Sequence, residues 1–173
     1  MPCADSSGPV LLFDAFSLLY WAFFALPPMS TAGGEPTSAL YGFSALVLSM
    51  LREEGGKSAA FALHRPGQTF RRAAFAGYKA SRPAAPTPLS QQVTRVPEIL
   101  ESFGFPCFAV AGYEADDVLA TLARELRVAG EAPLVITGGG EGAAAFGASS
   151  CVLVIVVVAY NWGGGIINEP RKT

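Results

Sequence analysis

Short apolar runs recur along the chain, at residues 10–13, 58–63, 107–110 and 134–136. Each run has the length and the unbroken hydrophobicity of a buried strand in a parallel sheet. Longer stretches with apolar residues at helical spacing lie between them, at residues 17–26, 37–54, 89–103 and 114–129. This alternation predicts an α/β domain in which helices cover both faces of a mostly parallel sheet.

The pattern changes after Gly138. The chain becomes rich in glycine and alanine and then carries an apolar run at residues 151–160, followed by three glycines and a basic end. That run is about half the length of ~20 residues that a membrane-spanning helix needs, so a buried strand is the better interpretation. We therefore expect a domain over residues 1–141 and a divergent Gly/Val-rich tail over residues 142–173.

Composition narrows the class of protein. Hydrophobic residues make up 51% of the 173 residues and charged residues 15%, which excludes an intrinsically disordered chain. The three cysteines are widely spaced, and the single histidine leaves no zinc-binding pattern. Together with a start that lacks the basic residues of a secretion signal, these features predict reduced thiols and a cytoplasmic location.

Carboxylates follow several of the predicted strands. Asp14 ends the first run, and Glu114, Asp116 and Asp117 follow the third, while Glu141 follows the fourth. Because the carboxyl ends of parallel strands meet at one edge of a sheet, these acids are expected to lie together. Clustered carboxylates suit Mg²⁺ or Mn²⁺, and two such ions can hydrolyse a phosphodiester. The alternative is that Asp116 and Asp117 are ordinary first-turn acids of a helix.

A basic segment separates the second and third runs. No acid occurs between residues 57 and 82, although half of the twelve Lys and Arg residues of the chain lie there. Aromatic residues are interleaved with them. Cations and rings in this arrangement can bind phosphates and stack on unpaired bases. A solvated face with a few core aromatics is the alternative. The residues concerned are Lys57, Arg65, Phe70, Arg71, Arg72, Phe75, Tyr78, Lys79 and Arg82.

Several motifs, in order, resemble those of the 5′-nuclease family, which includes the N-terminal 5′→3′ exonuclease domain of bacterial DNA polymerase I and the flap endonucleases. The resemblance covers residues 10–138. The motifs are LLFD at 11–14, SLLY at 17–20, AFFALPP at 22–28, GEPT at 34–37, RPGQTFR at 65–71, GYKA at 77–80 and GYEADDV at 112–118.

The resemblance implies a PIN-like α/β domain with a basic helical arch over residues 65–95, through which a single-stranded 5′ end passes. It makes Asp14, Glu114, Asp116 and Asp117 the acids of the metal site, with one or two Mg²⁺ or Mn²⁺ ions. Lys79 becomes the residue that contacts the scissile phosphate. It also implies a DNA polymerase as partner, further contacts to DNA by Arg71 and Arg82, and Tyr20 on the DNA-facing helix.

The chain also departs from the family pattern. His64 replaces an aspartate, and the TG at 137–138 is followed by Gly139, Gly140 and Glu141 where the family has two aspartates. His64 is therefore only a weak candidate ligand, and its imidazole equally suits a hydrogen bond at the strand end. Glu141 alone would carry the second ion. Trp21 and Ala15 replace an arginine and a glycine, and no helix-hairpin-helix-like module follows residue 141.

The expected function is that of a 5′→3′ exonuclease or 5′-flap endonuclease-like domain whose activity is impaired by these losses. Two alternatives stay open. One is a remnant that binds nucleic acid without turnover, and the other is a truncated gene product with no stable fold. The glycine run at 138–140 does not indicate a phosphate-binding P-loop, because no Gly-Lys-Ser/Thr follows it.

Overall fold

A computed structural model describes residues 8–138 except 57, 66 and 82, together with the backbone of residues 152–155. The predictions for Lys57, Arg82 and Glu141, the substitution at Gly139 and most of the tail lie outside the described residues. Among the described residues, no helix combines the length and the apolar character that crossing a bilayer requires.

Strands and helices alternate along the described chain. The order is β1 (Val10–Asp14), α1 (Ala15–Ala25), α2 (Ser38–Glu53), β2 (Ser58–Ala62), α3 (Phe70–Ala74), α4 (Thr87–Val93), α5 (Val96–Ser102), β3 (Cys107–Phe108), α6 (Ala115–Val128), β4 (Pro133–Thr137) and β5 (Val152–Ile155).

The strands form one parallel sheet in the order β3-β2-β1-β4-β5. The central strand β1 pairs with β2, where Phe13 lies opposite Phe61, and with β4, where Phe13 lies opposite Ile136. Strand β5 pairs with β4, so the apolar run of the tail does contribute a strand. This architecture confirms the predicted α/β fold with a parallel sheet.

Alternate residues of β1 pack on opposite faces of the sheet, as the pleat requires. Leu11 and Phe13 belong to the core beneath α1, α2, α4 and α5. Val10 and Leu12 belong to the core beneath α6. The Phe13 and Phe61 rings stack with centroids 4.7 Å apart. Because β1 is buried on both faces, its position and that of Asp14 at its end are fixed by packing.

Helices α1 and α2 approach each other closely at Gly42. A Cβ at this position would lie 2.7 Å from Leu26 Cδ1 and 2.9 Å from the Ala22 Cβ, so only glycine fits. The N-terminus of α2 is capped from a distance. The buried side-chain oxygen of Gln92 accepts hydrogen bonds from the backbone N–H groups of Ala39 (2.8 Å) and Leu40 (3.1 Å).

Two predicted elements differ from the structure. The helix predicted over residues 89–103 is two helices, α4 and α5, with a break at residues 94–95. Pro97 explains this break, because proline has no N–H to donate to the carbonyl group of Val93 and its ring clashes with that carbonyl in a continuous helix. The strand predicted over 107–110 has only two residues, and both are exposed.

Candidate functional site

Asp14 lies at the junction between the last residue of β1 and the first turn of α1. It is the N-cap of α1, and its Oδ1 accepts a hydrogen bond from the Ser17 N–H at 3.1 Å. The residue is only 9% exposed. Burial raises the pKa of the Asp14 carboxyl above its ordinary value, although the hydrogen bond from Ser17 opposes this. A carboxylate is thus held at the carboxyl end of the central strand at an energetic cost.

Ser17 connects this junction to the end of β4. Its Oγ lies 3.1 Å from Thr137 Oγ1 and accepts a hydrogen bond from the Gly138 N–H at 2.9 Å. A Cβ at Gly138 would lie 3.0 Å from the Ser17 carbonyl oxygen, so the backbone approach is close. The ends of two neighbouring strands are therefore fixed relative to each other beside Asp14.

The other described acids of the predicted metal site lie at the N-terminus of α6. Glu114 is the N-cap residue, and Asp116 and Asp117 occupy the first turn. The Asp117 carboxylate turns back and accepts a hydrogen bond from the Glu114 N–H at 3.0 Å. This local bond satisfies a backbone donor that the helix itself leaves free. Part of the acidic sequence thus serves to begin the helix, as the alternative interpretation of these residues predicted.

The basic segment folds onto these same acids. Arg71 donates two hydrogen bonds to Asp117, at 2.6 Å and 2.5 Å, in a bidentate pair. Lys79 Nζ lies 3.0 Å from Glu114 Oε2, and the Tyr78 hydroxyl donates to the same oxygen at 3.1 Å. Arg71 also reaches Glu114 Oε2 at 3.4 Å. Two of the four predicted site acids are therefore neutralised by the chain's own cations.

Lys79 has an unusual backbone for a residue with a side chain. Its φ of 53° lies in the left-handed region, within a turn in which the Ala80 N–H donates to the Gly77 carbonyl oxygen at 3.3 Å. This conformation costs a residue other than glycine about 1 kcal/mol or more. The contacts of Lys79 with Glu114 and with the Tyr78 ring, whose centroid is 5.0 Å from Nζ, accompany this strain.

The electrostatics of the acids follow from these contacts. Burial alone would raise the pKa of Asp117, but the hydrogen bonds from Arg71 and from the Glu114 N–H outweigh it, and the pKa is lowered. Burial raises the pKa of Asp116, and the nearby charge of Asp14 raises it further. Burial would lower the pKa of Lys79, but its hydrogen bonds to Glu114 and Tyr78 raise it.

The described carboxylates do not form a ready-made metal site. No three His, Cys, Asp or Glu side chains within the described residues come together at one point that could hold a metal. Glu114 and Asp117 contact the cations of the basic segment. Asp14 and Asp116 are close enough to influence each other's charge, and neither forms a salt bridge with a described residue. Whether these acids bind a metal stays a prediction.

The other predicted site residues lie around this centre. His64 is exposed beyond the end of β2. It lies near enough to Asp14 to favour the charged form of the Asp14 carboxyl. Arg65 and Arg72 are exposed, and Phe70 is 49% exposed at the start of α3. Tyr20 is 42% exposed on α1, between the rings of Phe16 and Phe24. Their contacts with DNA stay predictions.

Sequence reasoning missed the positioning role of Ser17 and Thr137. The position of Ser17, three residues after the N-cap Asp14, was a usable signal, because the backbone N–H at this position commonly bonds to a capping carboxylate. Nothing local indicated that the hydroxyl of Thr137 would meet Ser17, since the pair is 120 residues apart in sequence.

Residues 9–145 match the sequence profile of the family described as 5′-3′ exonuclease, N-terminal resolvase-like domain. The DNA polymerase I of Mycobacterium leprae is 42% identical over 139 residues, which are 79% of this chain and 15% of that protein. The 5′-3′ exonuclease of Aquifex aeolicus is 42% identical over 114 residues, 66% of this chain and 39% of that protein. This chain thus spans well under half the length of these relatives.

Solved structures show the same fold. The T5 D15 protein co-crystallised with metal ions superposes with a TM-score of 0.55 at 17% identity, covering 78% of this chain and 50% of that one. The T5 D15 flap endonuclease in a pseudo-enzyme–product complex with DNA and metal ions gives a TM-score of 0.52 at 15% identity. That match covers 78% of this chain and 50% of the T5 chain. At such identities the likeness establishes the fold of this chain.

Proposed function

Because this chain belongs to the 5′-3′ exonuclease N-terminal domain family, we propose that it binds DNA with a single-stranded 5′ end or flap and cleaves it only weakly. The observation that carries the proposal is the meeting of Arg71 and Lys79 with Glu114 and Asp117 at the N-terminus of α6. Cations suited to phosphate thereby lie beside acids that are candidates for a hydrolytic site.

The same contacts support weak turnover. In this family member the acids that would surround the scissile phosphate are divided, and Glu114 and Asp117 are already neutralised. No metal-dependent step can be assigned to the described side chains as they stand. The expected Mg²⁺ or Mn²⁺ and the weak ligands Glu141 and His64 therefore stay predictions. So do the phosphate contacts of Arg65, Arg72 and Arg82.

Binding of DNA is proposed to exchange one set of ionic partners for another. Phosphates would replace Glu114 and Asp117 as partners of Lys79 and Arg71, because both side chains are partly exposed, at 31% and 29%. Such contacts weaken as salt rises, since binding releases counterions from the DNA. The relatives named DNA polymerase I support a polymerase as partner, and the free Cys107 thiol agrees with a cytoplasmic location.

A 5′-flap cleavage assay with Mg²⁺ and then Mn²⁺ tests the catalytic half of the proposal. We expect cleavage far below that of an intact family member measured alongside, and loss of whatever remains in Asp116→Ala. Strong cleavage by the unaltered chain that Asp116→Ala abolishes would contradict the proposed impairment. Complete absence of turnover would support the non-catalytic alternative.

Flap binding in EDTA tests the other half. We expect salt-dependent affinity that Lys79→Ala weakens, because the substitution removes a phosphate-binding cation. Arg124→Ala serves as the matched control. Arg124 lies in the C-terminal half of α6, is 73% exposed and pairs only with Glu125 among the described residues. Equal effects of the two substitutions, or an affinity that salt does not change, would contradict binding by the basic segment.

A further inference from the structure

Two aromatic side chains form an exposed pair beside the acidic centre. Phe70, at the start of α3, and Tyr113, just before the N-cap of α6, have ring centroids 5.5 Å apart and planes inclined by 52°. Phe70 is 49% exposed and Tyr113 is 50% exposed. Exposed rings of this size are expected where a surface binds something, particularly when they are adjacent. We refer to Phe70 and Tyr113 together as the aromatic platform.

The backbone beneath the aromatic platform is fixed. The Phe70 N–H donates to the Gly112 carbonyl oxygen at 2.9 Å, which ties the start of α3 to the loop before α6. Gly112 has a φ of 82°, a conformation that favours glycine. Thr69 is buried and caps α3 through a bond from the Arg72 N–H. A backbone held in this way loses little freedom on binding a ligand, which favours affinity.

A cation lies against the aromatic platform. The Arg71 guanidinium is 4.8 Å from the Phe70 ring centroid while it bonds to Asp117. A ligand lying across the two rings would therefore have Arg71 close to it. The chemistry that matches flat rings beside a cation is a nucleobase that carries a phosphate.

We propose that Tyr113, supported by Phe70, stacks on an unpaired base of single-stranded DNA and so contributes to the preference for a single-stranded end. The inference rests on the proposed function and adds a residue and a recognition mode to it. On the Phe70 side of the platform, charge supports DNA as the occupant, because no acid occurs between residues 57 and 82 and Arg71 lies against the Phe70 ring. A single strand is favoured over a duplex because the bases of a duplex are already stacked and do not offer a free face.

The test compares two flap substrates of equal length and charge. One has ordinary bases in its single-stranded arm, and the other has abasic residues there. Fluorescence anisotropy in EDTA measures both affinities without cleavage. We expect the unaltered chain to bind the base-containing arm about tenfold more tightly, a ratio typical of stacking on one aromatic side chain. Tyr113→Ala should bring this ratio close to one, whereas Tyr113→Phe should keep it.

Two controls separate this inference from its foundation. Tyr41→Ala removes another half-exposed tyrosine, on α2, and should leave the ratio unchanged. Lys79→Ala should weaken binding to both arms equally, because it acts on the DNA backbone. A ratio near one in the unaltered chain, or a ratio that survives in a folded Tyr113→Ala, overturns the aromatic platform and leaves DNA binding intact. Failure of the unaltered chain to bind either substrate overturns the proposed function and this inference together.

Discussion

The four described acids of the candidate site form two pairs with opposite surroundings. Glu114 and Asp117 are bonded to Arg71, Lys79 and Tyr78. Asp14 and Asp116 have no salt bridge to a described residue, and burial raises the pKa of both. A cluster of acids in sequence is therefore not a single electrostatic unit. The cations of the basic segment contact only some of these acids, and the other acids are left without a salt bridge to a described residue.

Helix geometry separates the neighbours Asp116 and Asp117. Successive residues of an α-helix are turned by about 100° from each other, whereas positions three apart lie on one side. Asp117 therefore faces the N-cap residue Glu114 and shares Arg71 with it. Asp116 lies near enough to Asp14 for the charge of Asp14 to raise its pKa, although Lys79 opposes this. One step along the helix separates a carboxylate with a bidentate salt bridge from one that has no salt bridge to a described residue.

The largest expected effect comes from breaking the compensated pair. Asp117→Asn should lower the free energy of unfolding by about 2 kcal/mol at pH 7, because it weakens a bidentate, partly buried ionic bond. Urea denaturation followed by circular dichroism measures it. Glu125→Gln is the control on the same helix, since the Arg124–Glu125 pair has side chains 73% and 61% exposed and should matter by less than about 0.5 kcal/mol. Equal small losses in both variants would show that Arg71 does not hold Asp117 in solution.

A smaller effect of opposite sign is expected at the uncompensated pair. Asp14→Asn should raise the free energy of unfolding by about 1 kcal/mol at pH 7, because it removes a buried charge. The asparagine side-chain oxygen can still accept the hydrogen bond from the Ser17 N–H. The same urea measurement decides it. A loss of stability would show that the Asp14 carboxylate gains more from its surroundings than its burial costs, which contradicts the contrast between the two pairs of acids.

Acidification should remove the differences in stability between the unaltered chain and the variants Asp14→Asn and Asp117→Asn. The folded pKa of Asp14 is raised, so its charge costs stability as pH rises above the ordinary value of 3.8, and the advantage of Asp14→Asn is lost below that pH. The folded pKa of Asp117 is lowered, so its contribution is complete above 3.8 and disappears as pH falls through the folded pKa. Unfolding measured at pH 7, 5 and 3 should show the two variants converging on the unaltered chain. Differences that persist unchanged at pH 3 would point to packing instead of charge.

Much of the fold could be predicted from the sequence, because unbroken apolar runs and helical spacing are local signals. β1, β2, β4, α2 and α6 all lie close to their predicted positions. The division of residues 89–103 at Pro97 had a local signal that the periodicity obscured. The capping of α2 by Gln92 had none, since its partners Ala39 and Leu40 are more than fifty residues away.

The chemistry of the candidate site was less predictable than its position. Strand ends brought Asp14 and the acids of α6 to one edge of the sheet, as parallel topology requires. The partners of Glu114 depend on the turn that contains Lys79 and its left-handed backbone, which no local pattern indicates. Tyr78 was predicted to stack on DNA bases, and its hydroxyl donates to Glu114 in the structure. Ion pairs between segments follow from tertiary packing, and composition does not reveal them.

The most direct test of the contrast between the two pairs of acids is the affinity of a 5′-flap DNA for two charge-matched variants, measured in EDTA over a range of salt concentrations. Asp117→Asn should bind about threefold more tightly than Asp116→Asn, because only the first releases Arg71 to the DNA backbone. For Asp117→Asn, the slope of log affinity against log salt concentration should be steeper by nearly the amount that one phosphate contact contributes. Equal affinities and equal salt slopes for the two variants would contradict the account, since they would show that Arg71 is as free in the unaltered chain as in the variant.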